Sequence, residues 1–564
     1  MSRSVTEVFV GLLIVAIPLI GLARRWLIPY PIALVLGGLA LGFVPGLPAI
    51  SLDPDLVLLI FLPPLLYWQS VTAPIGEMRA NKGWIVALAL GLVIATTIVV
   101  AVVAHAIAPQ MGWGAAFVLG AVVAPTDEIA VAPIAARLGL PRDVLAIVEG
   151  ESLGNDAASL VIYSAGVAAV VTGVFSWQAA FTDFFIAGVG AIAVGIGAGI
   201  LAIAAWRLFK DTRVQTVVSV ALPFVAYVPA QYSNVSGVLA VVTAGVLAGR
   251  YNPMVVTPTT RLQIAGFWQT TVFLVNTVVF ILVGLTLHGV VTKTLEHGHP
   301  WSQLLLITLS VNVAILAVRF IWVFGQGGIR MAVGRAPREP SEWKRLTIIA
   351  FCGFRGAISL AAALAIPVMT TRSEFPEPDL LIFTTFSVIL VTLVGGGLTL
   401  PAVVKALHLA PNDRVTAEVR RALIALNGAA LEQLEQLEVE HRIEEHHARA
   451  VRERFVTQQE LLTATDVEAE RRTLARFDVE RALIGARRRK LVQLHKGRAI
   501  DGEVLRRLQR TLDRQEDEIE RAAADLKNFS DGGDDLDVPP TLGLADAEAV
   551  MRPPAAATDP SGAP

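Results

Sequence analysis

Residues 147–171 of the chain read IVEGESLGNDAASLVIYSAGVAAVV. The stretch is long enough to cross the roughly 30 Å hydrocarbon core of a bilayer as a helix, yet it carries acidic residues, among them Glu151 and Asp156. A charged side chain at the centre of a membrane helix costs about 2.5–3.5 kcal/mol on insertion scales, so each one invites a functional explanation. The fold therefore depends on whether the rest of the chain is also built for a membrane.

The composition indicates that it is. Of 564 residues, 54% are hydrophobic and 17% charged, the mean hydropathy is +0.61, and soluble domains contain about 25% charged residues. The formal net charge of −2 argues against a basic surface for nucleic acid. The single cysteine, Cys352, excludes an intrachain disulfide and a cysteine-based metal cluster.

Apolar segments long enough to span a bilayer recur along the first 410 residues. The first lacks a signal-peptide cleavage pattern and is interpreted as a span. About thirteen spans are predicted, at residues 7–23, 30–46, 54–71, 83–107, 115–136, 143–173, 183–206, 214–231, 236–250, 263–290, 301–326, 346–369 and 380–403.

Basic residues are concentrated in alternate loops between these segments. This alternation follows the positive-inside rule and predicts an N-terminus outside and a C-terminal tail in the cytoplasm. The basic loops contain Arg24 and Arg25, Arg79 and Lys82, Arg137 and Arg142, Arg207 to Arg213, Arg250 and Arg261, and Arg330 to Arg345.

The chain becomes strongly charged after Pro411. Residues 411–530 are rich in Glu, Arg, Leu and Ala, which predicts a domain of amphipathic helices. Residues 531–564 are rich in Gly, Pro and Asp and are predicted to be disordered. The tail histidines His441, His446 and His447 either titrate to regulate transport or are simply solvated.

The fifth segment, LGAVVAPTDEIAVAPIAARLG (119–139), contains two prolines around a polar cluster. Pro125 and Pro133 each remove a backbone donor, which predicts a broken helix at Thr126 and Asp127. Broken membrane helices face protein or a watery cavity, and transporters use them as ion sites. The alternative is a proline kink with Asp127 near the membrane interface.

The sixth segment carries a second polar cluster. Ser152, Asn155 and Asp156 are spaced i, i+3, i+4, which predicts one helix face. Hydroxyl, amide and carboxylate oxygens suit Na⁺, Li⁺ or K⁺ better than a thiophilic metal. The alternative is that Asp156 only packs helices together.

Two more charges lie in later spans, Arg319 in the eleventh and Arg355 in the twelfth. Either arginine could neutralise Glu151. The twelfth segment, FCGFRGAISLAAALAIPV (351–368), has glycines around Arg355 and Pro367 at its far end, which predicts a second interrupted helix.

Several motifs carry a family resemblance: FLPPLLYW (61–68), PTDEIAVAPIA (125–135), EGESLGNDAASLV (149–161), SGVLAVVTAGVLAG (236–249), FWQTTVFLVNTVVFILVGL (267–285), GFRGAISLAAALAIP (353–367) and TLVGGGLTLP (392–401). In this order they resemble the monovalent cation:proton antiporter-1 family, which contains sodium/proton antiporters of the NhaP and animal-exchanger types. The tail segment GRAIDGEVLRRLQRTLD (497–513) is similar to the tails of bacterial members.

The resemblance implies an all-α membrane domain (1–410) with inverted repeats and two crossed broken helices. It implies a homodimer in the lipid bilayer of the cell membrane, with core helices at about 83–173 and 301–403 and dimerisation helices at about 7–71 and 183–290. No cofactor is implied, because Na⁺ and H⁺ are cargo.

The resemblance also assigns roles. The cation- and proton-binding residues would be Asp156, Asp127, Asn155, Ser152 and Thr126, with Na⁺ held by Asp156, Asp127, Ser152 and Thr126. The residues that hold the core together would be Glu151, Arg319 and Arg355.

The chain departs from the family pattern at four positions. Trp68 stands where family members commonly have an acidic residue, Glu128 replaces a proline, and Gln231 and Gln269 replace glutamates. Glu128 either compensates for the carboxylate lost at position 68 or faces a water-filled funnel. Trp68, Glu128 and Gln231 are therefore candidate modulators of selectivity and pH response.

These features predict a secondary antiporter in which a cation and a proton compete for Asp156, with roles in pH and sodium homeostasis. Asn155, where electrogenic relatives carry a second Asp, predicts one-for-one electroneutral exchange. Na⁺ and K⁺ are not distinguished. A cation channel is disfavoured because no filter-like repeat is present, and an enzyme because no His adjoins Ser152 or Asp156 in sequence.

Overall fold

The structure is a computed structural model of the full chain. It describes residues 3–26, 28–44, 59–128, 131, 135, 140–172, 177–233, 235–334, 340–366, 375–407, 413–440, 443–463, 467–496 and several positions between 504 and 520.

The described residues form helices joined by turns and contain no strand, which confirms the predicted all-α class. In chain order the helices up to residue 407 are α1 (Arg3–Trp26), α2 (Tyr30–Gly42), α3 (Leu62–Thr72), α4 (Ile75–Ala80), α5 (Lys82–Ile107), α6 (Gly112–Val123), α7 (Arg142–Thr172), α8 (Trp177–Leu208), α9 (Thr212–Tyr232), α10 (Gly237–Val255), α11 (Pro258–Glu296), α12 (Trp301–Ala332), α13 (Pro340–Phe351), α14 (Ala357–Leu364) and α15 (Pro378–Leu407).

Each of the thirteen predicted apolar segments coincides with at least one of these helices. Within the described part of the chain, eight helices are long and apolar enough to cross a membrane, and two shorter apolar helices accompany them. The exact count of thirteen spans stays a prediction. Two prolines used in the predictions lie outside the described residues: Pro133, predicted with Pro125 to break the fifth segment, and Pro367, predicted to mark the far end of the twelfth.

Two spanning helices contain a turn of wider, π-helical geometry. The wide turns are Ala87–Leu92 within α5 and Val391–Gly395 within α15. The turn in α5 contacts α7, where a Cβ on Gly154 would lie 2.7 Å from Cβ of Ala89, and the turn in α15 is followed by Gly396, where an added Cβ would lie 2.0 Å from Cε1 of Phe354. Wide turns of this kind are frequently found at functional sites.

Close helix packing depends on small residues, as is usual in membranes. Helix α2 packs along α11, where a Cβ on Gly38 would lie 2.2 Å from the carbonyl oxygen of Ile281, and one on Gly284 would lie 2.0 Å from that of Val35. A second group consists of α3 and α8 to α10, with the first turns of α11, packed around Trp206, Tyr227 and Trp268.

The chain divides into two compact units at Leu409 and Ala410. The second contains helices α16 (Asp413–Val439), α17 (Glu445–Thr463) and α18 (Val467–Lys496). Phe477, Ile484 and Leu491 recur every seven residues along α18 and pack against Leu512 and Ile519, the repeat typical of paired helices. Arg488 adds ion pairs of 2.6 Å to Asp513 and Glu516.

Candidate functional site

Two interrupted helices meet at their breaks. Helix α6 ends at Val123, residues 124–127 are non-helical and helical geometry resumes at Glu128, while residues 352–356 separate α13 from α14. The backbone N–H of Asp127 donates to the carbonyl of Phe354 at 2.8 Å, and Nε of Arg355 donates to the carbonyl of Val123 at 3.0 Å. Each break therefore satisfies polar groups of the other, as a membrane interior requires.

The two breaks approach so closely because residue 356 is glycine. A Cβ at Gly356 would lie 1.6 Å from Oδ2 of Asp127, much closer than any non-bonded contact. Any larger residue at this position would displace the Asp127 carboxylate.

The two interrupted helices cross at their breaks, at a point called the crossing. Helix α7 passes beside the crossing and presents its polar face to it. Ser152, Asn155 and Asp156 are all buried, and Asp156 is only 3% exposed. The predicted spacing thus brings all three to the crossing. Because Gly154 packs against Ala89 of α5 and Ser159 donates to the carbonyl of Ala121 at 2.6 Å, the register of α7 against both neighbours is fixed.

A small cavity of about 20 Å³ lies between α3, α7 and the two breaks. This volume accommodates about one water-sized guest. Its polar lining residues are Gln69, Thr126, Asp127, Ser152, Asp156 and Ser359. The cavity thus brings together four residues that the sequence nominated as cation ligands.

Asn155 belongs to a hydrogen-bond chain beside the cavity and does not form part of its described wall. Its Nδ2 donates to Oγ1 of Thr126 at 2.8 Å, and Oγ1 of Thr126 donates to Glu151 at 3.1 Å. Oδ1 of Asn155 is buried and accepts no hydrogen bond from the described residues. Asn155 therefore positions Thr126 through a hydrogen bond on the side away from the cavity.

Arg319 neutralises Glu151. Its two terminal nitrogens lie 2.5 and 3.0 Å from the carboxylate oxygens, and both side chains are 1% exposed. Arg319 also donates to the carbonyls of Ile349 and Ala350, at 2.9 and 3.0 Å, at the end of α13. The pair thereby fixes α7, α12 and the second break relative to one another.

Arg355, the other arginine considered for Glu151, has a different environment. It donates to the carbonyls of Val123 and Gly353, and its backbone N–H donates to Oγ1 of Thr392 at 3.2 Å. Its guanidinium therefore donates hydrogen bonds to backbone carbonyls that have no helical partner at the two breaks.

The candidate modulators lie in different environments. Glu128 is buried next to the crossing, whereas Trp68 is half-buried in the packing of α3. Gln231 and Gln269 are exposed. Two of these positions adjoin residues that line the cavity: Glu128 follows Asp127, and Trp68 precedes Gln69. Of the four, only Glu128 is buried.

Three features of this site were not predicted from the sequence. Gln69 of α3 lines the cavity. Ser359 also lines the cavity, and its hydroxyl is buried without a partner among the described residues. Its sequence signal was that it is the only hydroxyl residue in the motif GFRGAISLAAALAIP (353–367). The contact between Gly356 and Asp127 joins positions more than 200 residues apart.

The sequence was compared with those of known proteins. Residues 10–406 match the family model described as "Sodium/hydrogen exchanger, transmembrane". The chain belongs to the sodium/hydrogen exchanger family. Members of this family are multi-pass cation:proton antiporters, which are transporters and not enzymes, and the family is not known to need a cofactor.

One relative in the sodium/hydrogen exchanger family matches part of the tail as well as the membrane domain. An uncharacterised Na⁺/H⁺ exchanger of Mycobacterium tuberculosis is 33% identical over 510 residues, 88% of this chain and 92% of the relative. A sodium, potassium, lithium and rubidium/H⁺ antiporter of Bacillus subtilis is 32% identical over 388 residues, 66% of this chain and 57% of that protein.

The fold matches a solved exchanger structure. The sodium/proton antiporter MjNhaP1 of Methanocaldococcus jannaschii superposes with a TM-score of 0.56 at 19% identity, over 71% of this chain and 98% of that chain. The predicted sodium/proton antiporter fold is thereby confirmed.

Proposed function

We propose that this exchanger is a secondary active antiporter that moves Na⁺, with Li⁺ or K⁺ as alternatives, against H⁺ by alternating access. The observation that carries the proposal is the buried cavity in which Asp156 and Asp127 converge at the crossing. Ser152 and Thr126 add hydroxyl oxygens to its wall. Oxygen donors of this kind favour hard monovalent cations.

The charges around the cavity support competition at Asp156. Arg319 is committed to Glu151, and Arg355 to backbone carbonyls, so no basic side chain among the described residues forms an ion pair with Asp156. A buried carboxylate is tolerated when it carries a proton or a cation. If the protein changes access only in these two neutral states, the cation and the proton move in opposite directions.

The proposed setting follows the family. The exchanger would lie in the cell inner membrane as a homodimer, with its N-terminus outside and its tail in the cytoplasm, where a regulator could bind the tail. The core helices (83–173 and 301–403) would move against the dimerisation helices (7–71 and 183–290). Its roles would be in pH and sodium homeostasis.

The identity of the cation requires a direct test. The Bacillus relative is named for four alkali cations, which supports K⁺/H⁺ exchange as the alternative. Purified protein in proteoliposomes with a preset pH gradient should dissipate that gradient when Na⁺, Li⁺ or K⁺ is added. A gradient that none of the three cations dissipates would contradict the proposed function.

The stoichiometry gives a separate prediction. Because Asn155 is neutral, the Asn–Asp pair contributes only one carboxylate, and we expect one cation to exchange for one proton. A membrane potential imposed with valinomycin and K⁺ should therefore leave the Na⁺/H⁺ exchange rate unchanged in proteoliposomes. Uphill cation uptake driven by the potential alone would contradict electroneutral exchange.

Gly356→Ala should strongly impair transport. The added Cβ would lie 1.6 Å from Oδ2 of Asp127 and displace that carboxylate, and a shift of about 1 Å at a reacting site can cost roughly a hundredfold in rate. We expect the exchange rate in proteoliposomes to fall by about that factor. Gly325→Ala in α12 is the matched control because no atom lies within 4 Å of its added Cβ; equal rates in both variants would contradict the prediction.

A further inference from the structure

Glu128 is a buried acid that the proposed exchange cycle does not use. It is 8% exposed, and its Oε2 is fully buried and accepts no hydrogen bond from the described residues. It directly follows Asp127, at the start of the second half of the broken helix. Burying a carboxylate without a partner is costly, so this oxygen indicates a ligand.

Glu149 supplies a second carboxylate near Glu128. It precedes Ser152 by three residues and Asp156 by seven, which places all three on one face of α7. At 1.5 Å per residue, Glu149 lies about 10 Å before Asp156 along the helix axis. Thr126, two residues before Glu128, donates to Glu151, two residues after Glu149, at 3.1 Å, so the two segments lie side by side here.

A third acid lies toward the N-terminal end of α7. Helix α4 packs against α7 there, since a Cβ on Gly150 would lie 3.0 Å from Cε of Met78. Glu77 of α4 is exposed and adjoins Met78, which contacts this part of α7, whereas Glu149 is half-buried. Burial thus increases from Glu77 through Glu149 to Glu128, and no described basic side chain forms an ion pair with any of the three.

We propose that Glu128 and Glu149 form a second binding site for the transported alkali cation, on the cytoplasmic side of Asp156. The site rests on the proposed function, which supplies both the cargo and the cytoplasmic location of the N-terminal end of α7. A cation held between two carboxylates neutralises their repulsion and replaces the missing partner of Glu128. Two carboxylates without a thiol or imidazole suit a hard cation.

The second site would act when the central cavity opens to the cytoplasm. Two acids at the wall of a low-dielectric passage concentrate cations from the water outside. The cation bound there would reach Asp156 over a short distance. A chain with proline at position 128, the residue common in the family, would lack this site.

The test measures the Michaelis constant for radiolabelled Na⁺ separately from each side, in inside-out and right-side-out membrane vesicles. Glu128→Gln and Glu149→Gln should each raise the cytoplasmic-side KM about tenfold, or about 1.4 kcal/mol of binding free energy. The extracellular-side KM should stay within twofold of the wild type. Glu128→Asp, which keeps the carboxylate, should restore part of the affinity.

The double variant tests whether the two acids form one site. Residues that act together give less than additive effects, so the double variant should have nearly the same KM as either single one. Glu296→Gln, an exposed glutamate at the end of α11, is the matched control and should behave as the wild type.

Three results would overturn the second site: an unchanged cytoplasmic KM, equal increases of KM on both sides, or effects of Glu128→Gln and Glu149→Gln that multiply in the double variant. Equal increases would instead place the defect at the central cavity. None of them would affect the proposed exchange activity, which fails only if the wild type does not exchange cations for protons.

Discussion

Asp156→Asn is expected to abolish cation-dependent H⁺ exchange while leaving the protein folded. Asn has nearly the shape of Asp, so the packing of α7 in the crossing is retained, with Ser152 and Asn155 beside it. The amide can neither take up a proton nor neutralise a cation. Because the proposed cycle requires one group that does both in turn, no residual coupled exchange should remain.

The measurement is the dissipation of a preset pH gradient in proteoliposomes after addition of Na⁺, Li⁺ or K⁺, with size-exclusion chromatography to establish folding. Asp211→Asn is the matched control. Asp211 begins α9, where its carboxylate accepts from the N–H groups of Arg213 and Val214 at 2.9 and 3.1 Å, and Asn caps helices equally well. Wild-type exchange by Asp156→Asn would remove Asp156 from the mechanism.

The sequence was informative where one residue type decides the local structure. Pro125 interrupted the fifth segment because proline removes a backbone donor, and the structure has non-helical residues there. The i, i+3, i+4 spacing placed Ser152 and Asp156 on one face because α7 is a regular helix. Hydropathy located the helices because lipid demands long apolar stretches.

Contacts between distant segments were not available from the sequence. It left open whether Arg319 or Arg355 neutralises Glu151, and only the ion pair formed between α12 and α7 assigns this to Arg319. Thr126 was expected only to bind cations, yet its hydroxyl also links Asn155 to Glu151. These choices depend on how helices cross, which local periodicity does not encode.

Arg319→Met should be the most destabilising of the substitutions considered. The Arg319 side chain is only 1% exposed and donates to both oxygens of Glu151 and to two carbonyls. Removing one partner of a buried ion pair costs roughly 3–5 kcal/mol because the other charge stays buried. We expect a clearly lower thermal unfolding midpoint in detergent, followed by tryptophan fluorescence.

The pair Arg345–Asp143 provides the matched control for this substitution. Its ion pair is 2.8 Å long, but the side chains are 21% and 40% exposed, and exposed pairs contribute only about 0–1 kcal/mol. Arg345 also lies 3.4 Å from Glu342, so the control removes the exposed partner: Asp143→Asn should leave the unfolding midpoint nearly unchanged. An equal loss in both variants would mean that burial of the Glu151 charge is not what makes Arg319 necessary.

The double variant Glu151→Gln with Arg319→Met separates the charge of Glu151 from its shape. It leaves no buried charge at this pair, so it should recover much of the stability lost in Arg319→Met, as neutral replacements of buried pairs often do. The amide oxygen that Glu151→Gln introduces can still accept the hydrogen bond from Thr126. If both stability and exchange recover, the role of the ion pair is to hold Thr126 beside Asp156. If stability recovers but exchange does not, the charge of Glu151 is itself needed for cation or proton binding in the cavity.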